Sequence, residues 1–369
     1  MTYSKKDITK ALETISAPGE GKSLIESGAV KNIVTFDKEI IVDVTIANPS
    51  LQAKKKIEVE IMKVIHQEID VKADVKVNVT SDTKNEPFKP EKPKVPGIQN
   101  IIAIASGKGG VGKSTITSNM AVSLQKMGFK VGILDADVYG PSTHLMFDVA
   151  NARPLSIEID GRSKMQPIES YGVKILSLGF FTDANQAVIW RGAMASKALN
   201  QMIFDAHWGD LDFLLIDLPP GTGDIHLSIV QSIPVTGAVI VSTPQNIALA
   251  DAKKGVAMFK QENINVPVLG IVENMSTYVC PSCGHTEHIF GSGGGQKMCS
   301  DYHVPFLGSL PLNLSIREQA DAGRPTLVSE PDGLISQTYK EIARQVAIQI
   351  ALMSKDLSSK FPSIVIQNT

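Results

Sequence analysis

Short, unbroken apolar runs recur along the larger, C-terminal part of the chain, at residues 101–105, 131–134, 213–216, 238–241 and 268–272. They lack the apolar–polar alternation of a strand with one wet face, so each predicts a strand buried on both faces, as in a parallel sheet. Helical stretches follow several of them, at 114–126, 225–232 and 247–261. This repeated strand-then-helix rhythm predicts an α/β fold, a doubly wound, mostly parallel sheet with ligands at the carboxyl ends of its strands. Nearer the C-terminus, Ile335, Tyr339, Ile342, Val346, Ile350 and Met353 form one stripe at helical spacing. Its surroundings are poor in Lys and Arg, so the stripe is expected to pack on the domain core rather than on a membrane.

The first part of the chain has a different pattern. Residues 40–46 are β-branched and partly alternating, and Val71, Ala73, Val75, Val77 and Val79 alternate strictly with polar residues, which predicts two half-buried strands. Between them, Ile57, Ile61, Val64 and Ile65 fall at helical spacing within 54–67. Residues 1–82 therefore read as a small α+β domain, whose His66 is expected to be a partly exposed structural residue. Pro87, Pro90, Pro93 and Pro96 recur every third residue, the period of polyproline II, among lysines and glutamates. Residues 83–97 are thus expected to be a semi-rigid linker, with a larger domain at 98–369.

Composition narrows the function classes. The 369 residues suit two domains, and a net charge of −2 supplies no global basic field to hold nucleic acid or an anionic membrane. No apolar run approaches the ~20 residues of a membrane span. The opening residues Met1 to Asp7 are not followed by the apolar stretch of a secretory signal. Three cysteines, two of them as Cys280-x-x-Cys283, fit a reducing compartment and a metal or redox role better than a disulfide framework. The expectation is a cytoplasmic protein with no nucleic-acid or membrane partner.

The chemistry begins at Gly107-Lys108-Gly109-Gly110-Val111-Gly112-Lys113-Ser114-Thr115, which satisfies G-x-x-x-x-G-K-[ST] between an expected strand and an expected helix. Backbone N–H groups of such a loop curl around phosphates. Lys113 is expected to neutralise the β- and γ-phosphates of ATP and Ser114 to offer its hydroxyl to Mg²⁺. Lys108 is a cation that the cradle geometry does not require. It either reaches a phosphate held by a facing subunit, in the manner of an arginine finger, or is a solvated surface lysine. Leu214-Leu215-Ile216-Asp217 has the Walker B pattern, which makes Asp217 a Mg²⁺ residue, and the Pro- and Gly-rich loop through Asp224 is a candidate switch. Another strand ends in Asp135-Ala136-Asp137, where Asp137 is a candidate for orienting the attacking water and Asp135 for a magnesium-shell contact. For both, a helix cap or turn is the competing role.

Cys280-Pro281-Ser282-Cys283-Gly284-His285 presents two thiolates to one metal centre. Tetrahedral zinc needs four ligands, and His285, His288 and Cys299 complete neither a second C-x-x-C nor a usual histidine pair. A [4Fe–4S] cluster shared between two chains, a zinc site and a thiol redox pair all remain open on spacing alone.

Taken together, the 107–115 loop resembles the deviant Walker A loop of the dimeric ATPases that include MinD, the nitrogenase iron protein and Mrp. Asp135-Ala-Asp-Val-Tyr-Gly-Pro-Ser142, Asp217-Leu-Pro-Pro-Gly-Thr-Gly-Asp224, Glu273-Asn-Met275 and the cysteine motif resemble the Mrp/ApbC branch in particular. The resemblance covers nearly all of residues 98–354. It implies an ATP-binding homodimer that holds a labile [4Fe–4S] cluster at its interface, taken from cluster donors and passed to apo iron–sulfur client proteins. It also implies that Lys108 acts across the dimer and that Asn274 contacts adenine. Trp190-Arg191-Gly192 matches a segment common in the branch, with no role assigned to Arg191. Residues 1–82 resemble a small domain related to iron–sulfur assembly factors. Here Ala17-Pro18-Gly19-Glu20 replaces the usual Asp-Pro-Glu turn, and the cysteine of some relatives is missing. The other classes considered fit less well. A positioning ATPase of the MinD/ParA type calls for a basic amphipathic terminal helix or a basic patch, and neither is visible. A nitrogenase-type reductase draws its cysteines from separate segments.

Overall fold

Alternating burial organises the N-terminal unit, in which strand β2 (Glu39–Ile46) turns Ile40, Val42, Val44 and Ile46 inward. The computed structural model describes residues 3–17, 22–36, 39–46, 51–81, 93–181 and 192–358. The chain forms two compact units, Met1–Glu91 and Lys92–Thr369. Most of the proline-rich segment, the residues after Ala17 in its turn, and Trp190-Arg191 lie outside the described residues.

In the first unit, helix α1 (Lys5–Leu12), strand β1 (Val30–Phe36), β2, helix α2 (Leu51–Glu68) and strand β3 (Asp74–Ser81) follow in order. The sheet runs β1-β2-β3, antiparallel then parallel. Ile57, Ile61 and Ile65 of α2 and Ile8 and Leu12 of α1 cover its inner face. Strand β3 starts later than the valine alternation predicts. Val71, 80% exposed, lies in a turn, where the Lys72 amide donates to Asp70 Oδ1 at 2.9 Å. His66 Nε2 meets the Ala73 carbonyl at 3.0 Å and ties the end of α2 to the start of β3.

The second unit opens with strand β4 (Ile98–Ser106), helix α3 (Lys113–Lys126), strand β5 (Val131–Asp135) and helix α4 (Thr143–Met146). Strands β6 (Leu155–Ile159) and β7 (Arg162–Gln166) form a separate hairpin, before β8 (Ile168–Ser170) and β9 (Val173–Ser177). Helix α5 (Gly192–Phe204), strand β10 (Leu211–Asp217), helix α6 (Asp224–Ser232), strand β11 (Gly237–Ser242), helix α7 (Asn246–Phe259) and strand β12 (Val268–Glu273) come next. A two-residue hairpin, β13 (Tyr278–Val279) with β14 (Thr286–Glu287), precedes helix α8 (Gly294–Tyr302) and strand β15 (Phe306–Ser309). Helices α9 (Leu314–Asp321), α10 (Thr326–Ser329) and α11 (Leu334–Ser358) complete the described chain.

The eight-stranded sheet runs β15-β12-β11-β4-β10-β5-β9-β8 and is parallel except for β8. Its central strands have no polar alternation because both faces are covered. Ile101, Ala103 and Ala105 of β4 face the layer of α5, α6 and α7. Ile102 and Ile104 face α3 and α11, where Tyr339, Ile342 and Val346 are buried, as expected of a stripe that packs on the core. Strand register sets Asp217 beside Asp135 at the carboxyl edge of the sheet, next to the end of β4.

Candidate functional site

The glycine loop spans the turn from β4 into α3, and its glycines have local reasons beyond phosphate binding. A Cβ at Gly107 would collide with the backbone of α7 at Asp251 and Ala252, so only glycine lets that helix come this close. Gly112, at φ 83°, caps α3, and a side chain there would strike the Asn274 amide. Asn274, 7% exposed, donates from Nδ2 to the Val111 carbonyl at 2.9 Å.

Lys113, 6% exposed, points into the carboxyl edge of the sheet. Its Nζ lies 2.6 Å from Asp217 Oδ1, 3.7 Å from Asp137 Oδ2 and 3.4 Å from Ser114 Oγ. The Thr117 hydroxyl, one turn along α3, is 3.0 Å from the same Asp217 oxygen. Asp217 Oδ2 is buried with no hydrogen-bond partner among the described residues. Two carboxylates thus share one lysine, an excess of negative charge in a buried place. Asp137 answers to it: burial first, then the Asp217 charge, raises its pKa against the pull of Lys113.

Asp135 serves a different purpose. Its Oδ2 accepts from the amides of Ser142 and Thr143 at 3.0 Å each and from the Ser177 hydroxyl at 2.9 Å, and its Oδ1 accepts from the Asp137 amide at 3.2 Å. The side chain orders the turn that presents Asp137 and caps α4. Burial and the neighbouring Asp217 raise its pKa, and these donors and Lys113 oppose them. Lys108 stands exposed beside the loop and enters none of the ion pairs found among the described residues. Thr117 belongs to no motif, although its place four residues after Lys113 puts it on the same helix face. His226 of α6, likewise outside any motif, is 2% exposed behind the 218–223 loop.

The cysteines sit on the β13–β14 hairpin. The Cys280 amide donates to the His285 carbonyl and the Gly284 amide to the Cys280 carbonyl, both at 2.9 Å. Cys283 is exposed and Cys280 half-buried, and the amides of Ser282 and Cys283 facing Cys280 Sγ pull its pKa below the usual thiol value. The other candidates lie elsewhere. Cys299 is buried in α8, donates to the Pro305 carbonyl, and is pushed up to about 11 by burial and the Glu273 charge. His288 Nδ1 is 2.9 Å from the Ser276 carbonyl. Among the described residues no three His, Cys, Asp or Glu side chains gather to hold a metal ion. The pair therefore offers two ligands per chain. No described helix is long and apolar enough to cross a membrane.

A parallel sheet whose central strand feeds a glycine loop, a buried lysine and an acidic strand end define a P-loop NTPase. Residues 97–347 match the NUBPL iron-transfer P-loop NTPase family and residues 5–79 the iron–sulfur cluster assembly protein family. The chain belongs to the NUBPL iron-transfer P-loop NTPase family, as the motif resemblance implied. It is 52% identical over 252 residues to the iron–sulfur cluster carrier protein of Pseudomonas fragi, covering 68% of this chain and 86% of that one. The protein of the same name from Deinococcus radiodurans is 39% identical, with 96% of this chain and 98% of that one covered. A solved structure of a nucleotide-binding protein from Archaeoglobus fulgidus in complex with ADP superposes with a TM-score of 0.56 and 37% identity, covering 64% of this chain and 90% of that one.

Proposed function

We propose that this protein is an ATP-hydrolysing carrier of iron–sulfur clusters. Two copies hold a labile [4Fe–4S] cluster between their Cys280–Cys283 pairs and deliver it to apo-proteins in the cytoplasm, without a nucleic-acid or membrane partner. The observation that carries this reading is the cysteine hairpin: two thiols per chain on one loop, Cys283 exposed and Cys280 half-buried, where a [4Fe–4S] centre takes four. Relatives named for cluster carriage support it.

In the nucleotide site, Lys113 and the loop amides hold the ATP phosphates, and Asn274 serves both the loop and the adenine base. The unpartnered Asp217 Oδ2 and the Ser114 hydroxyl fit Mg²⁺, a hard cation that keeps several waters and takes few protein ligands. Bound there, Mg²⁺ would offset the charge spread over the transferred phosphoryl oxygens. Asp137 orients the attacking water, Asp135 holds Asp137 in place from behind, and Lys108 reaches the phosphates of the facing copy.

Anaerobic reconstitution should give about four iron and four sulfide per dimer. Retention of the same cluster by Cys283→Ala, or zinc in its place, would overturn the reading.

A further inference from the structure

Adjacent residues at the end of β12 reach in opposite directions. Asn274 Nδ2 holds the Val111 carbonyl in the glycine loop at 2.9 Å. Glu273 Oε2 accepts from the Gly295 amide at 2.6 Å, at the start of the helix that follows the cysteine hairpin. Met275 comes next, at φ 57°, a left-handed backbone that a non-glycine residue holds only when its surroundings enforce it. Ser276 supplies that enforcement. Its amide and hydroxyl both donate to the Leu310 carbonyl, at 2.9 and 3.1 Å. Its own carbonyl faces His288 Nδ1 at 2.9 Å, and a carbonyl only accepts, so the imidazole proton lies on Nδ1. Residues 276 and 288 bracket the hairpin that carries Cys280 and Cys283, and the Leu312 amide fixes its entry by donating to the Thr277 carbonyl at 2.7 Å.

We propose that residues 273–276 are a strap through which nucleotide in the glycine loop sets the geometry of the cysteine pair, with His288 as the positioning residue at the hairpin end. The purpose of this coupling, nucleotide control of cluster retention, rests on the function proposed above. Phosphate binding draws on the loop's backbone, and any reorientation of the Val111 peptide falls on the Asn274 amide bonded to it. The left-handed Met275 and the double anchor of Ser276 leave little slack in the next two residues. Chain continuity carries the shift to the entry strand of the hairpin. The His288 bond carries it to the exit strand, so that both ends move together. Without His288, the two-residue strand β14 follows the strap only through its short pairing with β13.

The test uses the full-length chain, reduced and without cluster, with maleimide labelling of Cys280 and Cys283 followed by peptide mapping. Rates are compared with no nucleotide, with Mg–ADP and with a non-hydrolysable Mg–ATP analogue. In the wild type the analogue should change the labelling rate at least about fivefold, the lower range of allosteric coupling. His288→Ala should bind nucleotide as before while its rate change falls below about twofold. His288→Asn, whose side-chain amide donates to the Ser276 carbonyl, should restore most of the response. A full response in His288→Ala, or no response in the wild type, overturns the strap. Because the thiols are read without iron, failure of the cluster reading would leave this result standing, and a carrier without the strap would still load its cluster.

Discussion

Lys113 is the residue on which the proposed nucleotide site turns. Its ammonium sits 2.6 Å from Asp217, so in the proposed role it would exchange a buried carboxylate for phosphate. An opposite charge at that distance in a buried setting is worth several kcal/mol in gross attraction, much of it cancelled by desolvation. Asp217→Asn keeps the shape and removes the charge that holds the lysine back. The expected outcome is nucleotide binding without Mg²⁺ that is about tenfold tighter than in the wild type, one pKa-unit equivalent of interaction. Mg²⁺-dependent hydrolysis should fall on the order of a hundredfold, as when one charge-stabilising group is removed from an active site. Titration calorimetry with and without Mg²⁺, beside a phosphate-release assay, reads both. Unchanged Mg²⁺ dependence would separate Asp217 from the metal.

Among the elements, strands β4, β5, β10, β11 and β12 were legible because nothing polar interrupts their apolar runs, and the long helix α11 because its stripe repeats through many turns; Lys174 interrupts β9 and hid it. Strand β1 escaped because a register shift between Val30 and Asn32 breaks its alternation, and α1 because eight residues show too few turns of the pattern. Of the site, the glycine loop and Asp217 were readable as local motifs. The bond from Asn274 to Val111, 163 residues apart in sequence, and the capping work of Asp135 depend on which strands end side by side. Gly107 shows how an element contact hides inside a motif. Gly107→Ala should push α7 from the loop and cost about 1–3 kcal/mol, the usual range for overpacking. Gly109→Ala, whose Cβ would meet nothing nearer than Pro220 Cγ at 3.9 Å, should melt close to the wild type. Calorimetric melting of the two variants decides this, since equal losses would remove α7 from the explanation.

At the scale of the whole molecule, buried titratable groups set how stability follows pH, and here they act in opposite senses. Asp135 and Asp137 have pKa values raised by burial, so the fold holds protons there that the unfolded chain has released, and acidification favours the fold through them. His226 works the other way. Burial, aided by the Lys113 charge and only partly offset by the Pro219 carbonyl, lowers it from 6.5 to about 4. Neither ring nitrogen has a well-formed hydrogen bond among the described residues, and the ring packs edge-on to Phe259 with centroids 5.9 Å apart. Above pH 6.5 the imidazole is neutral in both states and adds no pH dependence. Below it, the unfolded chain takes up a proton that the fold refuses, and stability falls by about 1.4 kcal/mol per pH unit until pH 4 is approached. His226→Phe keeps the ring contact and removes the titration. Relative to wild type, the variant should gain roughly 2 kcal/mol between pH 7 and pH 5. Guanidinium unfolding of both proteins at the two pH values isolates this term, because the carboxylates contribute equally to each. A constant difference between the proteins at both pH values would mean that His226 takes its proton in the fold as readily as outside it.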